Sequence, residues 1–365
     1  MSGSRMKQAY IDFIRYLFHP GKEMPLCLSD IDWMEFFQFC NRQGVVALVL
    51  AGFNHFDQKI PRKDLIRWLS FAERIKKKNA TVDKKLLRVT QFFDEKGYRS
   101  VILKGQANGL MYPHPEQRSP GDIDIWVEGN AEDIIKMVLN VCPNAHYSIH
   151  HIKMPVFKDI SVEVHYCPIF LGNWFKNKKL QQYINENRDR QFSNKVVFGN
   201  REIGTLTDNF NVIYQLLHMF HHFFETRNNF KQFIDYYYLL KRVEGRCNQD
   251  EIRYLLAEFG VLKYARGMMW VMKEILGLEE DCLYTEPDEK VGKLILSEAM
   301  RFGTFSNIKF VQVLQQFTGN LRLAWLFPSE VIISPLFLIW HQWWRLKMAR
   351  ALSSTSKSSS ARSLG

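Results

Sequence analysis

The chain has 365 residues, 46% apolar and 14% aromatic, with a formal net charge of +11, and is long enough for two or three domains with cores of their own. Five basic residues and no acidic one lie between Arg345 and Gly365, so the remainder is only mildly basic and its charge is no argument for nucleic-acid binding. The six cysteines, Cys27, Cys40, Cys142, Cys167, Cys247 and Cys282, form no C-x-x-C pair and no zinc spacing, which fits reduced thiols in a cytoplasmic protein, as does an opening Met1-Ser-Gly-Ser-Arg-Met-Lys without a hydrophobic signal core.

Residues 1–96 read as a helical region. Ile11, Ile14, Tyr16, Leu17 and Phe18 recur at helical spacing, and His19-Pro20-Gly21 breaks the pattern. Ser29-Asp30-Ile-Asp32 offers N-cap chemistry ahead of Trp33. Asn41-Arg42-Gln43-Gly44 leads into the apolar run Val45 to Leu50, and Pro61 marks another start. From Asp64 to about Lys96, Leu65, Leu69, Ile75, Val82, Leu86, Val89 and Phe93 line one or two long helices. The run Arg74-Ile-Lys76-Lys77-Lys78 reads either as a solvated helix face or as a basic rim near a polyphosphate or nucleic acid.

Residues 97–205 carry the chemistry. Val101-Ile-Leu-Lys104-Gly105 is a short strand ending in a turn fit for phosphate: glycine permits close backbone approach and lysine brings a point charge. A short helix to about Met111 follows, then a loop fixed by Pro113, Pro115 and Pro120, where Arg118 either neutralises phosphate oxygens or orders the loop through a salt bridge. Next comes Gly121-Asp122-Ile-Asp124-Ile-Trp-Val127. Residues i and i+2 of a strand share a face, so Asp122 and Asp124 stand side by side while Ile123 and Ile125 enter a core. Two such anions repel unless a cation stands between them, and Mg²⁺ suits one or two carboxylates. Ala131 to Val141 reads as a helix. Ile160-Ser-Val-Glu163-Val-His165 is a second alternating strand, and if it lies beside the first, Glu163 completes a three-carboxylate cluster. His150 and His151 precede it in a hairpin. Adjacent strand residues face opposite ways, so only one of that pair is expected at the site, as a structural or substrate-facing group. The order strand, helix, strand, helix, strand, strand predicts a small mixed sheet with helices, an α+β core.

Taken together, Leu103-Lys104-Gly105, Tyr112-Pro113, Arg118-x-x-Gly121-Asp122-x-Asp124 and Glu163-x-His165 resemble the DNA polymerase β-type nucleotidyltransferase superfamily, and within it a poorly characterised bacterial branch. Gln106 departs from the Gly or Ser usual after the glycine, and the spacing from Gly105 to Asp122 is longer than usual. The resemblance implies a nucleotidyltransferase core flanked by N- and C-terminal helical regions, acting on a nucleoside triphosphate such as ATP. It implies Asp122, Asp124 and Glu163 as catalytic residues and as ligands of two Mg²⁺ ions, or of Mn²⁺. Lys104, Gly105, Arg118, Gly121 and His165 would contact the nucleotide. The acceptor is left open: a small molecule, a peptide or protein, or an RNA. Two alternatives stand beside transfer, a catalytically degenerate binding protein of the same fold and a toxin-like transferase that modifies tRNA.

Trp174 to Asn200 reads as a polar, exposed excursion ending in a Gly-Asn hairpin over Val196–Ile203. From 206 to 350 a second helical region follows. Thr207-Asp208 caps an apolar helix in which His218 and His222 stand at i and i+4, expected as hydrogen-bonded core histidines rather than metal ligands. Lys231 and Asp235, again at i and i+4, form a candidate ion pair. They also resemble a second block of the bacterial branch, in which a basic residue and an Asp follow a His-x-x-x-His helix. On that resemblance Lys231 contacts nucleotide phosphates and Asp235 orients it, although Gln232 stands where Arg is usual. Pro328 and Pro335 break the apolar segment around Leu321–Trp344 into pieces too short to span a bilayer. Trp340, Trp343, Trp344, Arg345, Lys347 and Arg350 form either an interfacial helix with weak membrane contact or a helix packed on the body. Residues 351–365 read as a disordered, basic, Ser-rich tail, and deletion of residues 353–365 is expected to leave the melting temperature unchanged.

Overall fold

The computed structural model describes residues 3–19, 31–55, 60–301, 320–328, 330–331 and 340–352. The expected break at Pro20-Gly21, the cap at Ser29-Asp30, the segment 332–339 and the tail from 353 lie outside them. The chain divides into two compact units, one of Met1–Asp83, Gln106–Pro120 and Asp208–Gln316, the other of Lys84–Gly105, Gly121–Thr207 and Phe317–Gly365.

The first unit is helical. α1 (Gly3–Phe18) and α2 (Trp33–Gln43) meet through aromatic rings, Tyr10 lying 4.9 Å from Phe36 between centroids. Asp32 caps α2 by accepting from the amides of Met34 and Glu35, and Gly44 ends it at φ 71°, in the left-handed region. α3 (Val46–Ala51) and α4 (Arg62–Glu95) follow; α4 is one helix of 34 residues, and its part up to Asp83 belongs here. The short α5 (Gln106–Gly109) opens the proline loop. α8 (Asp208–Glu225), α9 (Phe230–Arg242), α10 (Gln249–Glu258), α11 (Leu262–Leu276) and α12 (Glu289–Ala299) complete the unit. Phe230, Phe233, Tyr236, Tyr264, Met268 and Ile295 are buried in its core. Gln43 ties the N- and C-terminal stretches together: its side chain donates to Ala299 O at 3.1 Å and accepts from Phe230 N at 3.0 Å.

The second unit is built on a four-stranded mixed sheet in the order β1-β2-β4-β3. β1 (Ser100–Ile102) runs antiparallel to β2 (Ile123–Val127), β2 parallel to β4 (Val162–His165), and β3 (His151–Lys153) antiparallel to β4. This is the predicted α+β core. The apolar alternation explains it, since Ile123, Ile125, Val162, Val164 and Ile152 are all buried. α6 (Ala131–Val141) follows β2, with Ile134, Ile135 and Val138 inward. The hairpin of β5 (Lys195–Phe198) and β6 (Arg201–Gly204) turns at Gly199-Asn200 as its Gly-Asn pair predicts.

One expectation changes. Trp174–Ser193 is no exposed excursion but a 20-residue helix, α7, capped by Asn173. Leu180, Tyr183, Ile184, Gln191 and Phe192 form its buried face; so few inward residues in so polar a stretch leave little periodic signal. Residues 340–352 are helical and pack through rings, Trp340 at 6.4 Å from Trp174 and Trp344 at 6.3 Å from Tyr147, while Trp343 and Leu346 face outward. No helix among the described residues is long and apolar enough to cross a membrane.

Candidate functional site

The parallel pairing of β2 with β4 sets Asp124 opposite Glu163 and Trp126 opposite His165, while β3 sets Lys153 opposite Glu163 and His151 opposite His165. Because partnered residues share a face, one side of this sheet carries Asp124, Glu163, His165, His151 and Lys153. The condition on which the three-carboxylate reading rested, that the Glu163 strand lie beside the Asp-x-Asp strand, is met.

Asp124 is buried, with 1% of its surface exposed, and Asp122, just before β2, is open to solvent. The ammonium of Lys104 lies 3.3 Å from Asp124 Oδ2 and 3.9 Å from Asp122 Oδ2. Burial opposes its charge, but the Asp124, Asp122 and Glu163 carboxylates outweigh that and raise its pKa. His165, almost fully buried, places Nε2 3.2 Å from Asp124 Oδ1. One ligand atom each of Asp124, Glu163 and His165 lies within 4.8 Å of the other two. The second aspartate oxygen, Oδ2, is buried and has the Lys104 ammonium as its ion partner at 3.3 Å. Hard carboxylate oxygens brought together from two strands, already gathered around one cationic group, make a donor set that fits a divalent cation of the magnesium class. Asp122 is not one of that set, and its Oδ2 lies 3.9 Å from the Lys104 ammonium.

Gly105 forms the turn between Lys104 and α5 at φ 70°, and a Cβ added there would meet Asp122 O at 3.2 Å. Gly105→Ala is therefore expected to strain the turn by about 1–2 kcal/mol, measured as a lowered denaturation midpoint beside the wild type. Gly121 lies in the loop leading to Asp122. Gln106, the departure from the usual Gly or Ser, has a structural partner: its amide donates to Asp83 and, at 3.4 Å, to Asn79 Oδ1.

The histidine expectation needs correcting. β3 begins at His151, and His150 lies in the bend before it, where strand alternation does not hold. Both rings turn toward His165, with centroids 5.5 and 5.3 Å from it. Burial pushes the pKa of His151 down to about 4, with Glu163 acting against the shift.

Arg118 and Asp235 meet within the helical unit. Arg118 donates from Nε and Nη2 to the two carboxylate oxygens of Asp235 at 2.7 and 2.8 Å, and the Tyr112 hydroxyl donates to Oδ1 at 2.7 Å. Asn79 donates to the carbonyls of Glu116 and Arg118, holding the same loop against α4. Neither Tyr112 nor Asn79 was visible as a partner in sequence. Lys231, expected as the partner of Asp235, adds its positive charge to the field that lowers the Asp235 pKa. His218 and His222 pair through Nε2 atoms 3.2 Å apart, and His222 Nδ1 lies 2.9 Å from Thr226 Oγ1. They belong to no metal-competent cluster among the described residues.

A family model for uncharacterised nucleotidyltransferases matches residues 29–277. The chain belongs to this nucleotidyltransferase family. No curated protein matches it. A solved structure similar to it is that of an antigenic nucleotidyltransferase-like protein from Paracoccidioides brasiliensis, at 10% identity and a TM-score of 0.34, the match covering 57% of this chain and 95% of that one. The Lys104-Gly105 turn and the acidic face of the nucleotidyltransferase chain both lie within the matched residues.

Proposed function

We propose that this family member is a nucleotidyltransferase of the DNA polymerase β type, bacterial and cytoplasmic, that uses Mg²⁺ and moves a nucleoside monophosphate from a triphosphate such as ATP to an acceptor hydroxyl or phosphate. The observation that carries this reading is the Asp124–Glu163 register, which sets carboxylates of two parallel strands side by side next to the Lys104-Gly105 turn. Asp122 and Asp124 would hold two ions, with Glu163 on the one beside the acceptor. Bound Mg²⁺, or Mn²⁺ in its place, supplies charge neutralisation for the triphosphate and a lowered pKa for the acceptor hydroxyl.

Lys104 neutralises the aspartates and would contact phosphate oxygens from the same position, with Gly105 and Gly121 keeping the backbone close. His165 orients Asp124 through the 3.2 Å contact. One of the three carboxylates accepts the acceptor's proton. The acceptor oxygen then bonds to the α-phosphorus, the bridge to the β-phosphate breaks, and pyrophosphate leaves. Positioning and fixed charge supply most of the rate. Because Arg118 is buried and held bidentate by Asp235, we assign this pair, with Lys231 nearby, to ordering the proline loop rather than to direct phosphate contact.

A second reading, triphosphate binding without transfer, draws support from Lys104 itself, whose ammonium already neutralises the aspartates. The test is incubation with each triphosphate labelled at its α-phosphate, Mg²⁺ and cell extract, followed by identification of what becomes labelled. Label transfer that a chelator abolishes is the expected outcome. Mg²⁺-dependent binding without transfer favours the second reading, and absence of any Mg²⁺-dependent triphosphate binding refutes both.

A further inference from the structure

Next to the carboxylates stands a group of nitrogen donors of which the transfer chemistry uses only His165. One ring nitrogen each of His150, His151 and His165 lies within 4.8 Å of the other two. The closest approach is His151 Nδ1 to His150 Nε2, at 2.8 Å. We infer that these three histidines form a binding site for a divalent transition-metal ion of the zinc class, separate from the carboxylate site and sharing only His165 with it.

Three features of the geometry support this. The first is the outer partner of each ring. A metal-bound imidazole generally directs its other nitrogen to a carboxylate, carbonyl or hydroxyl, which fixes ring and tautomer. His165 has Nε2 on Asp124 Oδ1 at 3.2 Å, His151 has Nε2 3.9 Å from Glu163 Oε2, and His150 has Nδ1 3.4 Å from Ser148 Oγ, a hydroxyl also 3.2 Å from His151 Nδ1. His150 Nε2 and His151 Nδ1 face each other at 2.8 Å, and Nδ1 is the His165 nitrogen that Asp124 does not hold. The second is that His165, 5% exposed, keeps Nδ1 buried without a hydrogen-bond partner. A buried polar atom left without a partner is costly, and a metal ion would satisfy it. The third is the backbone. His150 O accepts from the amides of Tyr166 and Cys167 at 3.1 and 3.3 Å, and β3 pairs His151 with His165. The strand start and the bend before it therefore hold both rings on one side.

Donor chemistry separates the two sites. Imidazole nitrogens suit Zn, Cu, Fe and Ni, whereas carboxylate and water suit Mg and Mn. Three protein ligands leave a fourth position open. Through Asp124 and Glu163, an ion held by the histidines would brace two of the carboxylates on the same face.

The test adds Zn²⁺ or Co²⁺ to the full-length protein in millimolar Mg²⁺. Expected is uptake of one ion per chain, with a Co²⁺ ligand-field spectrum of nitrogen coordination that Zn²⁺ abolishes. Outer-partner losses at metal sites cost about 10- to 100-fold in affinity, so Ser148→Ala should weaken binding by about that much, and His150→Ala and His151→Ala, which remove ligands, by more. Asp122→Asn should leave Zn²⁺ affinity unchanged. Undiminished binding by a folded His150→Ala, His151→Ala double variant overturns the site. So does loss of Zn²⁺ with Asp122→Asn alone, which would put the ion among the carboxylates. X-ray absorption on the wild-type protein with one equivalent of Zn²⁺ needs no variant: imidazoles at about 2.0–2.1 Å are expected, and fewer than two of them refute the assignment. Failure here leaves the transfer reading standing, since none of these readouts uses a nucleotide.

Discussion

Asp122→Asn should abolish nucleotidyl transfer, by about 10²- to 10³-fold or more on the scale of lost preorganised charge at a reacting centre, while leaving the fold as stable as before. The side chain is half-exposed, at 41%, and its ion contact, Lys104, is 3.9 Å away. Removing one anion from a repulsive cluster therefore costs little, within about 0.5 kcal/mol as for most surface changes. Asp124→Asn should remove activity equally but is not neutral to folding. That carboxylate is buried between Lys104 at 3.3 Å and His165 at 3.2 Å, and its loss leaves buried polar groups short of a partner, at a cost of about 1–3 kcal/mol. The contrast between the two variants separates holding a cation from holding the fold. Manganese binding followed by electron paramagnetic resonance gives a readout independent of the acceptor, and Asp122→Asn should weaken it. A variant with full transfer and unchanged manganese affinity would refute the cation-holding role.

Much of the site was legible because it depends on short-range rules. Period-two alternation turns Ile123 and Ile125 inward and leaves Asp124 on the opposite face; the same rule sets Glu163 and His165 apart from Val162 and Val164. Gly44, Asp32 and the Gly199-Asn200 turn follow from cap and turn chemistry. What could not be read are pairings between residues distant in the chain. Arg118 and Asp235 are 117 residues apart, and no local pattern says that they meet; the nearer Lys231 looked the better partner because helical spacing is all that sequence offers. The parallel neighbours β2 and β4 are likewise a matter of topology. α7 was missed for a different reason: its inward residues are too few, in too polar a stretch, to show a period. His150 was misjudged because the alternation rule was applied one residue before the strand begins.

Asp235→Ala should be the most damaging single change outside the acidic face. It strips a bidentate partner from Arg118, whose side chain is 4% exposed, and leaves a guanidinium in a low-dielectric interior. Breaking one side of such a pair costs about 3–5 kcal/mol, on the order of 10 °C in melting temperature for a body of this size. The Tyr112 hydroxyl loses its acceptor at the same time. Replacing both charges, as Arg118→Met with Asp235→Leu, should recover much of the loss, because a buried ion pair is often no better than an apolar pair of similar volume. A double variant no more stable than Asp235→Ala would sink this account of the loop. The pair also sets an acid limit. Burial works to raise the Asp235 pKa, but the Arg118 charge and hydrogen bonds, aided by Lys231 and Tyr112, hold it below the usual carboxylate range. In the unfolded chain the group titrates near about 3.9, so its contribution is complete above that pH and is lost as pH falls through the lower folded value. Wild-type melting temperature should therefore fall more steeply below about pH 4 than that of the double variant, while the two curves run parallel between about pH 5 and 8, where neither state of Asp235 changes protonation.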